Sequence, residues 1–142
     1  MRQAFDVAFT FARTQKRGGA VPILQHQAVA DVLTDAKGKI EATRLLTWRA
    51  MDAVLSQDSA ALELALHAKI FGSETGVDVI NSLVKIVGVQ AYDLDFPLMD
   101  HLADALAYPI IEGSNVGVRR RQMQTLMASD GWNPLHASGL AR

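Results

Sequence analysis

Apolar residues recur along this 142-residue chain at spacings of three and four, the repeat of an amphipathic helix. From about Arg2 to Arg17, Phe5, Ala8, Phe9 and Ala12 share one helical face, and "RGGAVP" then breaks the pattern. A second segment, about His26 to Ser56, places Val29, Leu33, Ala36 and Ile40 on one stripe, continued by Leu46, Ala50 and Val54. Gly38 inside it weakens the helix by roughly 1 kcal/mol relative to alanine, which predicts close packing or local strain there. Asp58 or Ser59 is placed to cap a third segment running to about Val87, with Leu62, Leu66, Ile70, Val77, Ile80, Val84 and Val87 as its stripe. Gly88 follows as a helix-stopping glycine, and "VQAYDLDF" is a polar–aromatic loop. Pro97 opens a shorter helix through about Ala107 with Leu98, Leu102 and Leu106. "YPIIEGSN" interrupts, and a last helix spans about Val116 to Met127, with Val118, Met123 and Leu126 apolar. All four prolines fall between these segments, and none of the segments alternates convincingly at period two. The pattern predicts an all-α fold: an up-down four-helix bundle with two long central helices over residues 1–128, and a turn-rich tail over 129–142 that is poorly ordered at its end.

Composition narrows the chemistry. Apolar residues make up 49% and charged residues 20% of the chain, as in a globular domain. A net charge of −1 provides no bulk field for nucleic acid or an anionic membrane, and no stretch is apolar for the length of a bilayer span. Cysteine is absent, which removes disulfides, thiolate catalysis and cysteine-ligated zinc, and fits a reducing cytoplasm. The four histidines are scattered without metal-ligand spacing, so no metal site is expected.

The most specific local feature is "EGSN" at 112–115. Gly113 permits a tight turn, and Ser114 or Asn115 is placed to cap the next helix. Glu112, flanked by Ile110 and Ile111, has two readings. In an apolar pocket its pKa would rise and it would serve as a base near neutral pH. At the surface it would merely complement the helix dipole. Arg119, Arg120 and Arg121 follow on successive helical positions, point in different directions, and read as a solvated face with one member in an ion pair.

Three motifs in order carry a resemblance over about Phe5 to Met127. "PILQHQAVADVLTDAKGKIEATRLLTWRA", "AKIFGSETGVDVINSLVKIVG" and "DFPLMDHLADALAYPIIEGS" resemble the C-terminal helical domain of the acyl-CoA dehydrogenase family. That family introduces a double bond between the α and β carbons of an acyl-CoA thioester: a glutamate takes the α proton as the β hydrogen leaves as hydride to FAD. The resemblance implies Glu112 as the catalytic base. It implies Ser114, Gln27, Lys16, Arg17, Lys85 and Gly88 as FAD contacts. The chain departs from the family pattern at Lys16, at Gly19 with Ala20, and at Lys85, Val89, Ala103, Ile111 and Val118.

The resemblance further implies an N-terminal helical domain and a middle β domain that this chain does not contain. The expectation is therefore an FAD-dependent acyl-CoA dehydrogenase-type oxidoreductase acting on an acyl-CoA substrate, present as a C-terminal domain or as a partial subunit whose missing domains come from a second chain. A homo-oligomer, dimer or tetramer, is expected, located in the cytoplasm, with neither nucleic acid nor a membrane span. The alternative is a non-catalytic helical oligomerisation module of the same descent, and a flavin-dependent monooxygenase or oxidase on the same scaffold is also compatible.

Overall fold

Small residues set how closely the helices approach. In the computed structural model, which describes residues 1–139, the first helix α1 (Arg2–Thr14) buries Ala4, Ala8 and Ala12 completely, with Phe11 beside them. Phe5 and Phe9, placed inside by the pattern, lie at the margin of this core and stack on each other with ring centroids 5.9 Å apart. The helix stops at Thr14 and not at Arg17. Gln15 is already extended, and Arg17 and Gly18 have positive φ of 45° and 79°. A short 3₁₀ turn (Ile23–Gln25) leads into α2 (Gln27–Leu55). After a tight turn, α3 (Ala61–Val87) begins with Asp58 as the cap, its Oδ1 accepting from the Ala60 N–H at 2.8 Å. Gly88 has a positive φ of 70°, but the chain continues from it as a 3₁₀ turn (Gly88–Tyr92) where the pattern predicted a loop. α4 (Leu98–Ala107) and α5 (Arg120–Met127) complete the fold, α5 preceded by a π-helical turn over Asn115–Arg119. No strand occurs among the described residues.

The chain divides into two packed units, and α2 and α3 contribute to both. The first comprises residues 1–41 and 75–107. Its core joins Leu33, Ala36 and Ile40 of α2 to Val79, Leu83 and Val87 of α3, α1, and Leu98 of α4. Phe11 meets Phe96 edge-on, and the Arg17 guanidinium lies 5.1 Å from the Phe11 ring centroid while donating to the Val87 carbonyl. Arg17 thereby satisfies one of the carbonyls left free at the end of α3.

The second unit comprises residues 42–74 and those from 108 onward. It buries a cluster of Ala50, Ala53, Ala60 and Leu64, with Leu66 and Met123 also buried, and a Cβ added to Gly72 would stand only 3.2 Å from Thr43 Cγ2. Residues 129–139 of the predicted tail lie against this core: the Trp132 indole donates to Glu63 at 2.8 Å, Arg49 donates to the Ala137 carbonyl at 2.7 Å, and Ala137 packs on the alanines. Residues 140–142 of that tail lie outside the described residues.

Four positions of the apolar pattern turn outward. Val54, Leu62, Leu106 and Val118 are exposed, and Ala53 and Leu64 are buried in place of the first two. Steps of four residues drift by about 40° each around an α-helix, so Leu46, Ala50 and Val54 cannot all stay on one face. Gly38 also differs from expectation, because nothing lies within 4 Å of its missing Cβ and its φ is ordinary. It reflects neither close packing nor strain. Gly38→Ala is therefore expected to raise unfolding free energy by about 0.5–1 kcal/mol. Leu83→Ala, at a fully buried position, should lower it by about 2–5 kcal/mol. Urea denaturation followed by circular dichroism measures both.

Candidate functional site

The segment between α4 and α5 is shaped by its own residues. Pro109 cannot continue α4 and biases Tyr108 away from helical geometry. Glu112 and Gly113 then adopt positive φ of 54° and 79° in succession. Glycine does so freely, whereas a glutamate in this region costs roughly 1–2 kcal/mol. The surroundings hold the turn in place. The Asn115 N–H donates to the Pro109 carbonyl at 2.8 Å, closing the loop at its base. Lys69 of α3 donates to the Tyr108 carbonyl. Arg119 forks onto the Glu112 carbonyl through Nε, at 3.1 Å, and Nη2, while its Nη1 reaches Gln122 Oε1 at 2.9 Å. A Cβ on Gly113 would stand 3.1 Å from that guanidinium and would have to displace it, and the positive φ favours glycine there.

Ser114 is the cap of the following turn, its Oγ accepting from the Gly117 N–H at 3.0 Å. Asn115 takes a different part. It is 1% exposed, and its Nδ2 donates to Ser73 Oγ at 2.9 Å and Glu74 Oε1 at 3.1 Å. The orientation of the amide follows from its partners. Ser73 spends its own proton on the Lys69 carbonyl and a carboxylate only accepts, so the NH₂ must face them. Arg120 completes the network with a bidentate pair to Glu74, Nη1 to Oε1 at 2.7 Å and Nη2 to Oε2 at 2.8 Å. The Arg120 guanidinium beside Glu74 holds its carboxyl below the usual carboxylate range. Partial burial opposes this shift, and the Asn115 amide assists it.

The structure places each expected site residue as follows. Glu112 stands exposed at the tip of the loop, with Ile110 and Ile111 themselves 69% and 47% exposed. The apolar pocket expected from these isoleucines is thus not formed by them, because the polar anchors at both ends of the loop leave its apolar side chains facing outward. Ser114 sits two residues on, in the same loop. Arg17 and Gly88 are brought together in the other unit, where a Cβ on Gly88 would lie 3.0 Å from the guanidinium. Lys16 and Lys85 are exposed, and exposed Gln27 donates to Asp31 at 2.6 Å. Residues missed by sequence reasoning are Lys69, Glu74, Asn115 in its buried role, Arg119 and Arg120. The arginine run does contain an ion pair, as expected, but a second member, Arg119, clasps the loop backbone. Arg121 lines an open groove of about 630 Å³ with Leu62, Val118, Leu126 and neighbours.

The sequence profile described as the C-terminal domain of acyl-CoA dehydrogenase matches residues 1–127. The chain belongs to the acyl-CoA dehydrogenase family. Within that family it is 45% identical over 144 residues to nitroalkane oxidase of Podospora anserina, covering 97% of this chain and 34% of that protein. The solved structure of that oxidase matches with a TM-score of 0.92, at 42% identity over 97% of this chain and 33% of the other. Cyclohexane-1-carbonyl-CoA dehydrogenase of Geobacter metallireducens is 31% identical over 112 residues, 79% of this chain and 29% of that protein. A further structure matches with a TM-score of 0.91, at 38% identity over 96% of this chain and 33% of the other. It belongs to work on the roles of an arginine and an aspartate, seven positions apart, in the reaction of the flavoprotein nitroalkane oxidase. The chain spans about a third of the length of the relatives it matches. The predicted bundle is thus the all-helical fold of acyl-CoA dehydrogenase C-terminal domains.

The depressed Glu74 pKa carries a pH signature. A carboxyl that ionises more readily when folded stabilises the fold above its unfolded value, near 4.5, and that contribution is lost as pH falls through the lower folded value. The melting-temperature advantage of the parent over Glu74→Gln should be constant between pH 6 and pH 8 and shrink steadily below about pH 4.5. Thermal melts across this range measure it.

Proposed function

We propose that this chain is the base-bearing, flavin-contacting part of an FAD-dependent oxidoreductase of the acyl-CoA dehydrogenase type. Glu112 takes the proton from the carbon α to a thioester carbonyl. The supporting observation is the geometry of the loop: an exposed carboxylate, held on a strained turn whose carbonyl is clasped by an arginine seven residues later. That spacing equals the one between the acid and the arginine studied in the related flavoprotein.

Each unit offers groups that suit part of a flavin. In the second, Ser114 accepts a backbone N–H and so keeps its own proton to donate. In the first, taken by itself, Lys16, Arg17 and Lys85 supply cations that suit an anionic dinucleotide. FAD, when bound, supplies the two-electron acceptor. In the protein that carries this chain, Glu112 removes a proton made acidic by the adjacent carbonyl. Fixing the loop beforehand lowers the entropy cost of reaching that proton.

The same first step serves a second reading, favoured by the 45% identity to a nitroalkane oxidase. There the acidified carbon lies beside a nitro group. A homo-oligomer accompanies either reading, supported by apolar side chains left exposed on α2, Leu45, Trp48, Met51 and Leu55. A second chain or a longer version of this one provides the remaining flavin walls. The cytoplasm is the compartment that suits a cysteine-free chain. Among the described residues no helix is long and apolar enough to cross a membrane.

Anaerobic bleaching of the flavin-loaded protein by acyl-CoA thioesters and by primary nitroalkanes separates the two substrate readings. Glu112→Gln should slow bleaching by the productive class about 10²–10⁴-fold. Equal rates for variant and parent would remove Glu112 from the reaction. Failure of every preparation to take up FAD in equilibrium dialysis would favour the non-catalytic oligomerisation module.

A further inference from the structure

Asn115, Glu74 and Arg120 form a continuous polar connection from α3 to the start of α5, and the Glu112 turn lies directly upstream. The loop is short, and its far end is closed by the backbone of the same Asn115. One buried residue therefore serves two ends. Its N–H ties the exit of the loop to the Pro109 carbonyl, and its amide ties that exit to α3. Arg120 then covers the same Glu74 carboxylate from the solvent side, using both oxygens. A bidentate pair of this kind fixes direction as well as distance. The strained positive φ at Glu112 persists only where the surroundings over-determine it. Arg119 alone holds the Glu112 carbonyl but does not reach α3. The pair from Arg120 anchors the segment that carries Arg119.

We propose that Arg120, Glu74 and Asn115 are positioning residues that fix the left-handed Glu112–Gly113 turn and so set the direction in which the Glu112 carboxylate is presented. The proposal rests on the reading of Glu112 as the base. None of the three touches the reacting atoms. Arg120 stabilises Glu74 as a carboxylate, Glu74 holds Asn115, and Asn115 closes the loop.

Hydrogen–deuterium exchange on the 142-residue chain tests the clamp without any cofactor. In Arg120→Gln and in Asn115→Ala the amides of residues 110–117 should exchange about tenfold faster, while those around Leu83 and Val87 keep the parent rate. Arg120→Lys, which retains charge but loses the fork, should fall between, and Arg121→Gln should match the parent. In the flavin-loaded protein, Arg120→Gln should lower kcat about tenfold with KM within twofold, the signature of a misdirected group rather than lost binding. Unchanged loop exchange in both Arg120→Gln and Asn115→Ala would overturn the proposal, as would acceleration that is equal in the loop and the core. Accelerated loop exchange together with full activity of Glu112→Gln would uphold the clamp and overturn only the assignment of the base.

Discussion

Burial of the Asn115 amide against Ser73 and Glu74 is the constraint on which the geometry of the candidate site depends. A polar side chain that is 1% exposed is tolerated only where its hydrogen bonds are made, and here both amide protons are used. Its Oδ1 is buried without a donor, a cost that the two donated bonds and the closed loop must outweigh. Because Asn115 cannot leave that position cheaply, the preceding residues have to turn back within a few positions. The left-handed pair Glu112–Gly113 is how the chain does so. The outward face of the isoleucines and the exposure of the glutamate follow from the same closure.

The two packed units solve a related problem with different materials. The first has long apolar side chains, Leu83, Val79, Val87 and Leu98, all essentially inaccessible, and uses fully buried alanines on α1 to let them close. The second has an alanine-rich cluster, Ala50, Ala53 and Ala60 with Leu64, besides the buried Leu66 and Met123, and close approach at Gly72 against Thr43. A core of small residues buries less apolar area, so it offers less stabilisation per residue. Polar fastenings are correspondingly frequent in that unit: Trp132 to Glu63, Arg49 to Ala137, Asn115 to α3, Arg120 to Glu74. The loop bearing Glu112 belongs to this unit, whose geometry rests more on directional bonds than on hydrophobic volume.

Arg17 illustrates how one residue can satisfy a structural and a chemical description. The family resemblance places it among flavin contacts, while the fold uses it to cover Phe11 and to cap the Val87 carbonyl. A guanidinium has five donors, so the two descriptions are compatible. Ser114 behaves similarly: its oxygen caps the turn and its proton is left to donate. Gln27, by contrast, directs its amide to Asp31 on its own helix.

Local periodicity determined a good deal: the helical class, the five segments, the breaks at the prolines, and the inward placing of Leu33, Ile40, Ile80, Val84 and Val87. These follow from interactions within a few residues, which a repeat of 3.6 encodes directly. Motif order determined the family and singled out Glu112. The outward turn of Val54 and Leu62 was missed because a stripe of four-residue steps drifts around a long helix. The support of the loop was missed because Glu74 and Arg120 lie 46 positions apart, and Asn115 and Ser73 lie 42 apart. No local pattern pairs such residues. Only when α3 and the 108–120 segment pack together does a carboxylate meet its guanidinium. Tertiary structure therefore decided that Glu112 stands exposed on a strained, clamped turn, because the burial of the Asn115 amide against distant residues of α3, and not the isoleucines beside the glutamate, sets its direction.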